Sequence, residues 1–372
     1  MLANAWGGKI VIRLKPDEAL SKDTYVRSPS SGYSTSSILR ASYRASGSSY
    51  VREIFLGFPG IGSLPTSPRN VSLWMWLEDS TTYSYDTTRV NFYLPNTSWS
   101  ESVRWDTKPG STYWAFGTIP KDYAEDWVGY NLKPIYDTLR SNGRGVRITT
   151  GYKESFQVTS SSGSDWYYRP ELAVEFDFPA LVYPVAKWSS GRWVKDNFDW
   201  TKINAYGSGG AFGDHWENSY AVDGSTRLLH TGIDLRASAG TPVYAMHSGI
   251  VYNFTNAGTD GYFVSIQYSM VGNYYVTSTY HHIAPEVSNG TSVTAGQRIG
   301  TVFNLGTRTH LHAQIRFGDN KEPDTGFNVV PVGRLPEKKA DTPKREGGRT
   351  GILPAFPDFF IDLEYDVDWV AQ

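Results

Sequence analysis

The apolar residues of this chain arrive in short runs rich in β-branched and aromatic types, several of them alternating with polar residues. Examples are "VSLWMWLE" (71–78), "RVNFYL" (89–94), "GVRITTG" (145–151) and "ELAVEFDF" (171–178), parted by turns of Ser, Gly, Pro and Asn. Successive strand side chains point to opposite faces, so this pattern suits half-buried strands. Leu-rich helical periodicity is scarce, which leaves an all-β reading with a β-sandwich in the first half. One segment departs from it: in "VGYNLKPIYDTLRSNG" (128–143), Leu132, Ile135, Tyr136 and Leu139 recur at helical spacing and Gly143 can end the turn. One short helix packed across the sheets is expected there.

At 372 residues the chain exceeds what one core usually holds, which predicts two domains. The 35 Lys and Arg nearly balance the 37 Asp and Glu, so the overall charge points to neither nucleic acid nor an anionic membrane surface. Cysteine is absent, which excludes disulfides and thiolate metal sites, so any metal must be held by histidines and carboxylates. No run of 18 apolar residues exists to cross a membrane as a helix. The opening "MLANAWGGKIVIRL" lacks the layout of a signal peptide and reads as the start of a mature or trimmed chain.

Histidines divide the chain: residues 1–214 contain none, and all seven lie from His215 to His312. Chemistry is expected in the second half. There "LLHTGIDLRASAGTPVYAMHSGIV" (228–251) offers His230 and Asp234 as ligand types suited to zinc. After the strand-like "YFVSIQYS" (262–269) and "YYVTSTYHHIA" (274–284) comes "THLHAQIRF" (309–317). On a strand His310 and His312 share one side, about 7 Å apart at Cα, while Leu311 and Ala313 take the other. That spacing suits two ligands equally with one ligand and one neighbouring base.

Two resemblances sharpen this. "DTYVRSP" (23–29), "YVREIFLGF" (50–58), "TSWSESVRWDTKPG" (97–110) with Trp99, Glu101, Trp105 and Pro109, and "RPELAVEF" (169–176) resemble the DNRLRE type of β-sandwich module over about residues 10–178. Modules of that type occur on secreted and cell-surface proteins, and some are regarded as carbohydrate-binding modules. Trp74, Trp76, Trp99, Trp105, Trp114, Trp127 and Trp166 are then candidates for a sugar-stacking face, with core packing as the alternative for each.

In the second half "HTGID", "AGTPVYA", "YHHIA", "VTAGQRIG" and "HLHAQIR" stand in the order found in lysostaphin/LytM-type zinc metallopeptidases, which are peptidoglycan endopeptidases. The resemblance spans about residues 205–335. It implies an antiparallel β-sheet domain of the duplicated-hybrid-motif type, one Zn2+ held by His230, Asp234 and His312, and catalytic roles for His310 and His282. It also implies peptidoglycan peptides as partners, with cell-wall polysaccharide as a further candidate, in a secreted or cell-envelope protein. Tyr280 precedes the histidine pair, and His215 lies where the family enters the domain, so both are candidates for substrate contact. His281 should point away from His282 on an alternating strand, and His247, in "MHSG", reads as solvated or structural. Two departures stand out: "TVFNLGTRT" (301–309) replaces a longer glycine-rich loop, and "HAQIR" replaces "HFEIR", putting Ala313 and Gln314 for an aromatic ring and a carboxylate.

The expected layout is therefore a β-sandwich over 1–180, a linker over 181–204, the peptidase over 205–335 and a charged loop with a docking tail over 336–372, in a monomer. A catalytically inactive scaffold built on the same domain is the alternative. A lyase or deacetylase lacks support, since no H-x-x-x-H or paired-carboxylate arrangement is seen.

Overall fold

The computed structural model describes residues 7–14, 23–28, 33–34, 38–43, 51–58, 60–82, 86–100, 102–120, 124–151, 154–160, 168–197, 201, 203, 210, 228–230, 232–255, 260–270, 274–318, 329–331, 359–361, 363 and 366–370. The side chains of 26, 33–34, 81–82, 228–230, 253–255, 329–331 and 359–360 are excepted. Its contacts divide the chain into two compact units, Arg13–Val174 and a second made of Met1–Ile12 with Glu175–Gln372.

The first unit is β-sandwich-like. Strands Asn70–Thr82, Glu154–Thr159, Ile38–Tyr43, Arg52–Leu56, Val146–Thr150, Thr87–Pro95 and Ser111–Pro120 are hydrogen-bonded in that order, and Asp126–Asn131 pairs with Asn70–Thr82. The period-two pattern explains the core: Val71, Leu73, Met75 and Leu77 are buried, while the intervening Trp74 and Trp76 are half-buried. The helix is present but shorter than the periodicity suggests. It runs Tyr136–Asn142 behind a 3-10 turn Lys133–Ile135, and Val128 to Asn131 close the preceding strand. Pro134 opens the turn, where its missing N–H costs nothing. Gly143 ends the helix at φ 61°, a left-handed conformation glycine takes without strain, and its N–H donates to the Leu139 carbonyl at 3.0 Å.

The tryptophans of this unit mostly pack. Trp99 is buried against Phe55 at 5.4 Å and donates its indole N–H to the Arg144 carbonyl at 2.6 Å. Trp76 meets Trp127 and Tyr168, and Trp114 meets Phe92 edge-on. Trp105 is half-buried beneath Lys108, whose ammonium sits 3.4 Å from the ring centre and 2.6 Å from Glu53. Among the described residues of this unit, the exposed aromatics are Tyr43, Tyr113 and Phe116. Trp166 lies outside the described residues.

The second unit is an antiparallel sheet. Ile233–Arg236, His310–Phe317, Tyr275–Pro285, Tyr262–Ser269, Gly249–Thr255 and Ser292–Val293 pair in that order. Arg298–Val302 joins Pro242–Tyr244 to the end of Tyr275–Pro285. The carboxy-terminal segment adds Phe359–Ile361 alongside His310–Phe317, with Ile361 and Leu363 fully buried. The charged segment 336–351 lies outside the described residues.

Register sorts the two faces. Asp234 pairs with His312, His281 with His312, Thr279 with Gln314 and Phe263 with His281. Cross-strand partners share a face, so Asp234, His310, His312, Gln314, His281 and Thr279 line one side. Leu235, Leu311, Ala313, Ile315, Tyr280 and Val264 line the other, all fully buried. Each such aliphatic side chain contributes roughly 1.5–3 kcal/mol, so the apolar side anchors the sheet and holds the polar side in place.

Candidate active site

Two adjacent strands present the central carboxylate and imidazoles. Asp234 Oδ1 lies 3.0 Å from His312 Nδ1 and 3.4 Å from His310 Nε2. The strand pair can come this close because residue 232 is glycine. A Cβ there would run into the Ala313 carbonyl oxygen and lie 2.8 Å from Gln314 Cβ and 2.9 Å from His312 Cε1.

Each imidazole has its second nitrogen occupied. His310 Nδ1 is 2.6 Å from the Arg308 carbonyl oxygen, His282 Nδ1 is 2.8 Å from that of Asp260, and His312 Nε2 is 3.3 Å from Gln314 Oε1. A carbonyl oxygen only accepts, so each of these nitrogens carries the proton and the opposite nitrogen keeps its lone pair. His310 and His282 therefore offer Nε2, and His312 offers Nδ1 toward Asp234. With its amide oxygen on His312, Gln314 fixes the orientation and tautomer of that ring through a neutral group.

The two pKa shifts differ in sign. Burial pushes His282 down to about 3, and the neighbouring His310 adds to the effect. For His310 burial also acts downward, but the hydrogen bond and charge of Asp234 outweigh it and the net shift is upward. Of the two, His310 is the better proton acceptor.

His281 behaves differently from its expected alternation. His282 has φ 62°, and the register against Tyr262–Ser269 shifts between Tyr262 and Phe263. That kink brings the His281 and His282 rings into a stack with centroids 3.7 Å apart, and Phe263 stacks on His281 at 3.8 Å. His282 in turn stands edge-on to His310 at 4.6 Å. His281 is thus part of the imidazole cluster, and the positive φ is what the strand pattern conceals.

Tyr280, expected at the substrate face, is instead in the core. It is fully buried, and its hydroxyl accepts the Met246 N–H at 2.5 Å. His247 is likewise fully buried, against Phe178 and Tyr268. His230 ends a short strand, Leu228–His230, paired with Val329–Pro331, and its side chain lies outside the described residues, as does all of His215.

Among the described residues no group of three His, Asp or Glu is placed to hold a metal ion. Asp234 and His312 nevertheless suit two corners of such a site. Ligand atoms about 2.0–2.1 Å from a tetrahedral zinc stand about 3.3 Å from each other. The observed 3.0 Å between a carboxylate oxygen and an imidazole lone pair is close to that separation.

Comparison with known proteins agrees with this picture. Residues 228–324 match peptidase family M23, and residues 17–146 match carbohydrate-binding module family 96. Peptidoglycan DD-endopeptidase ShyA of Vibrio cholerae is 39% identical over 112 residues, 30% of this chain and 25% of ShyA. The uncharacterized lipoprotein YgeR of Escherichia coli is 38% identical over 88 residues, 23% of this chain and 34% of YgeR. The chain thus spans about a quarter to a third of the length of these relatives. Among solved structures, lysostaphin from Staphylococcus simulans aligns at 23% identity over 36% of this chain and 50% of that one, with a TM-score of 0.25. The carboxy-terminal half of this chain carries a peptidase family M23 domain, and its amino-terminal half a family 96 carbohydrate-binding module.

Proposed function

We propose that the protein is a zinc-dependent endopeptidase of peptidoglycan, cutting stem or cross-bridge peptides. In this reading the domain over 205–335 does the chemistry, and the module over 1–180 directs it to wall or glycan outside the cell. The observation that carries it is the convergence of Asp234, His312 and His310 within 3.4 Å, each imidazole held in a defined tautomer.

His230, Asp234 and His312 would hold the ion. Bound there, zinc polarises a carbonyl and makes a water acidic near neutral pH. His310 takes the proton of the attacking water at Nε2 and returns it to the leaving amine, with its Nδ1–H held by the Arg308 carbonyl. His282, neutral with Nε2 unprotonated, accepts a hydrogen bond from that water and so orients it; donation to an oxyanion would need a proton it does not carry. Gln314 and the Arg308 and Asp260 carbonyls hold the three rings against rotation.

The test is release of fragments from defined muropeptides, read by mass. Cleavage of a peptide bond that stops with a chelator and returns with added zinc is expected. Wall binding without cleavage in the zinc-loaded protein would instead favour an inactive scaffold.

A further inference from the structure

The hairpin Ala186–Ser189 with Arg192–Lys195 lies outside both matched segments and carries two tryptophans in an unusual setting. Trp188 and Trp193 are cross-strand partners, 61% and 38% exposed, with ring centroids 5.1 Å apart and planes at 78°. They are the two exposed tryptophans among the described residues. The turn between them is held open-handed by Ser190 at φ 49° and Gly191 at φ 78°, both left-handed as tight hairpins require. A two-stranded ribbon alone is marginal in water. Here Lys187 pairs with Asp196 at 2.9 Å, Ala186 is buried, and Val185 bridges to Val243.

Keeping two large rings in solvent on so small an element calls for a partner. Lys195, the cross-strand partner of Ala186, is exposed on the same side of the ribbon as the two rings, whereas Ser189 and Arg192 pair on the other side. Flat aromatic faces with a cationic neighbour suit a sugar ring, whose C–H faces stack and whose hydroxyls and carboxylates take hydrogen bonds.

The hairpin is also near enough to the imidazole cluster. Its base bridges Pro242–Tyr244, which pairs Arg298–Val302, which pairs the Tyr275–Pro285 strand just after His282. Three strand spacings amount to roughly 15 Å. An extended peptide of five residues spans about the same distance.

We infer that Trp188 and Trp193, with Lys195 on the same side of the ribbon, form a saccharide-stacking subsite that holds the glycan strand while its attached peptide reaches the imidazole cluster. This rests on the peptidoglycan reading above, and names the part of the substrate that the peptidase unit itself grips. The subsite is distinct from whatever the amino-terminal module binds.

The experiment compares the full chain with a Trp188→Val/Trp193→Val variant, which keeps β-forming residues but removes the ring faces, and with a Trp188→Tyr/Trp193→Tyr variant. Substrates are a disaccharide-bearing muropeptide and the same peptide without sugar. The wild type should prefer the sugar-bearing substrate on the order of tenfold in kcat/KM, through KM. The valine variant should lose that preference and cut the free peptide unchanged, and the tyrosine variant should recover most of it. Calorimetric titration of the metal-free proteins with the N-acetylglucosamine tetramer supplies a readout independent of turnover, with weaker binding expected for the valine variant. Equal preference and equal binding in wild type and valine variant would overturn the inference. If the wild type cuts neither substrate, the peptidase reading falls, while the titration still decides whether the hairpin binds sugar.

Discussion

At the scale of single residues, the site is organised by where protons are held. Three imidazoles each have one nitrogen tied to an acceptor oxygen, and the identity of that oxygen decides what the other nitrogen can do. Gln314 is the unusual member, an amide where a carboxylate is expected from the resemblance. We predict that Gln314→Leu leaves His312 free to change tautomer and weakens zinc binding about 10–100-fold, read by competition with a chromophoric chelator. Gln314→Glu should bind nearly as the parent, and unchanged affinity in the leucine variant would show that Gln314 only fills space. That His310 and His312 share one face was legible from period-two alternation. The inclusion of His281 was not, because a positive φ at His282 breaks the alternation and no residue type announces it. Tyr280 was misread for a related reason: its neighbours carry the motif, but its own side points to the apolar face.

At the scale of elements, the strands were largely written in the sequence, whereas their register came from the structure. Tyr262–Ser269 and Tyr275–Pro285 follow the apolar runs closely, and Asp234 opposite His312 follows from pairing Ile233–Arg236 with His310–Phe317. The helix was legible from Leu132, Ile135, Tyr136 and Leu139, but its start was not, since Val128 to Asn131 find hydrogen-bond partners in Asn70–Thr82 that propensity does not reveal. Pairing depends on close approach at Gly232. Gly232→Ala should therefore force the Asp234 strand away from Ala313 and Gln314. A loss of about 1–3 kcal/mol is expected by overpacking, with activity falling further than stability because Asp234 moves. Urea unfolding and turnover measured on the same sample would check this, and an alanine variant of parental activity would contradict it.

At the scale of the whole molecule, a module built on packed tryptophans and the histidine-bearing sheet form separate compact units, and burial of one histidine in the second predicts a pH dependence of its stability. Burial against Phe178 and Tyr268 pushes His247 down to about 4, from an ordinary value near 6.5. Below about pH 6.5 the unfolded chain takes up a proton that the folded chain refuses until about pH 4. Stability from this group is thus present at neutral pH and lost as pH falls through that window, by up to about 3 kcal/mol. His247→Leu should flatten the slope of unfolding free energy between pH 7 and pH 4 relative to the parent, and an unchanged slope would count against it. The central claim is that the two histidines of "THLHAQIRF" divide the work, one holding metal and the other moving a proton. Zinc content and muropeptide turnover measured together on His312→Ala and His310→Ala test it most directly. The division predicts that His312→Ala loses both metal and activity, while His310→Ala keeps about one zinc per chain and loses turnover by at least about 100-fold. Equal loss of zinc from both variants would contradict it.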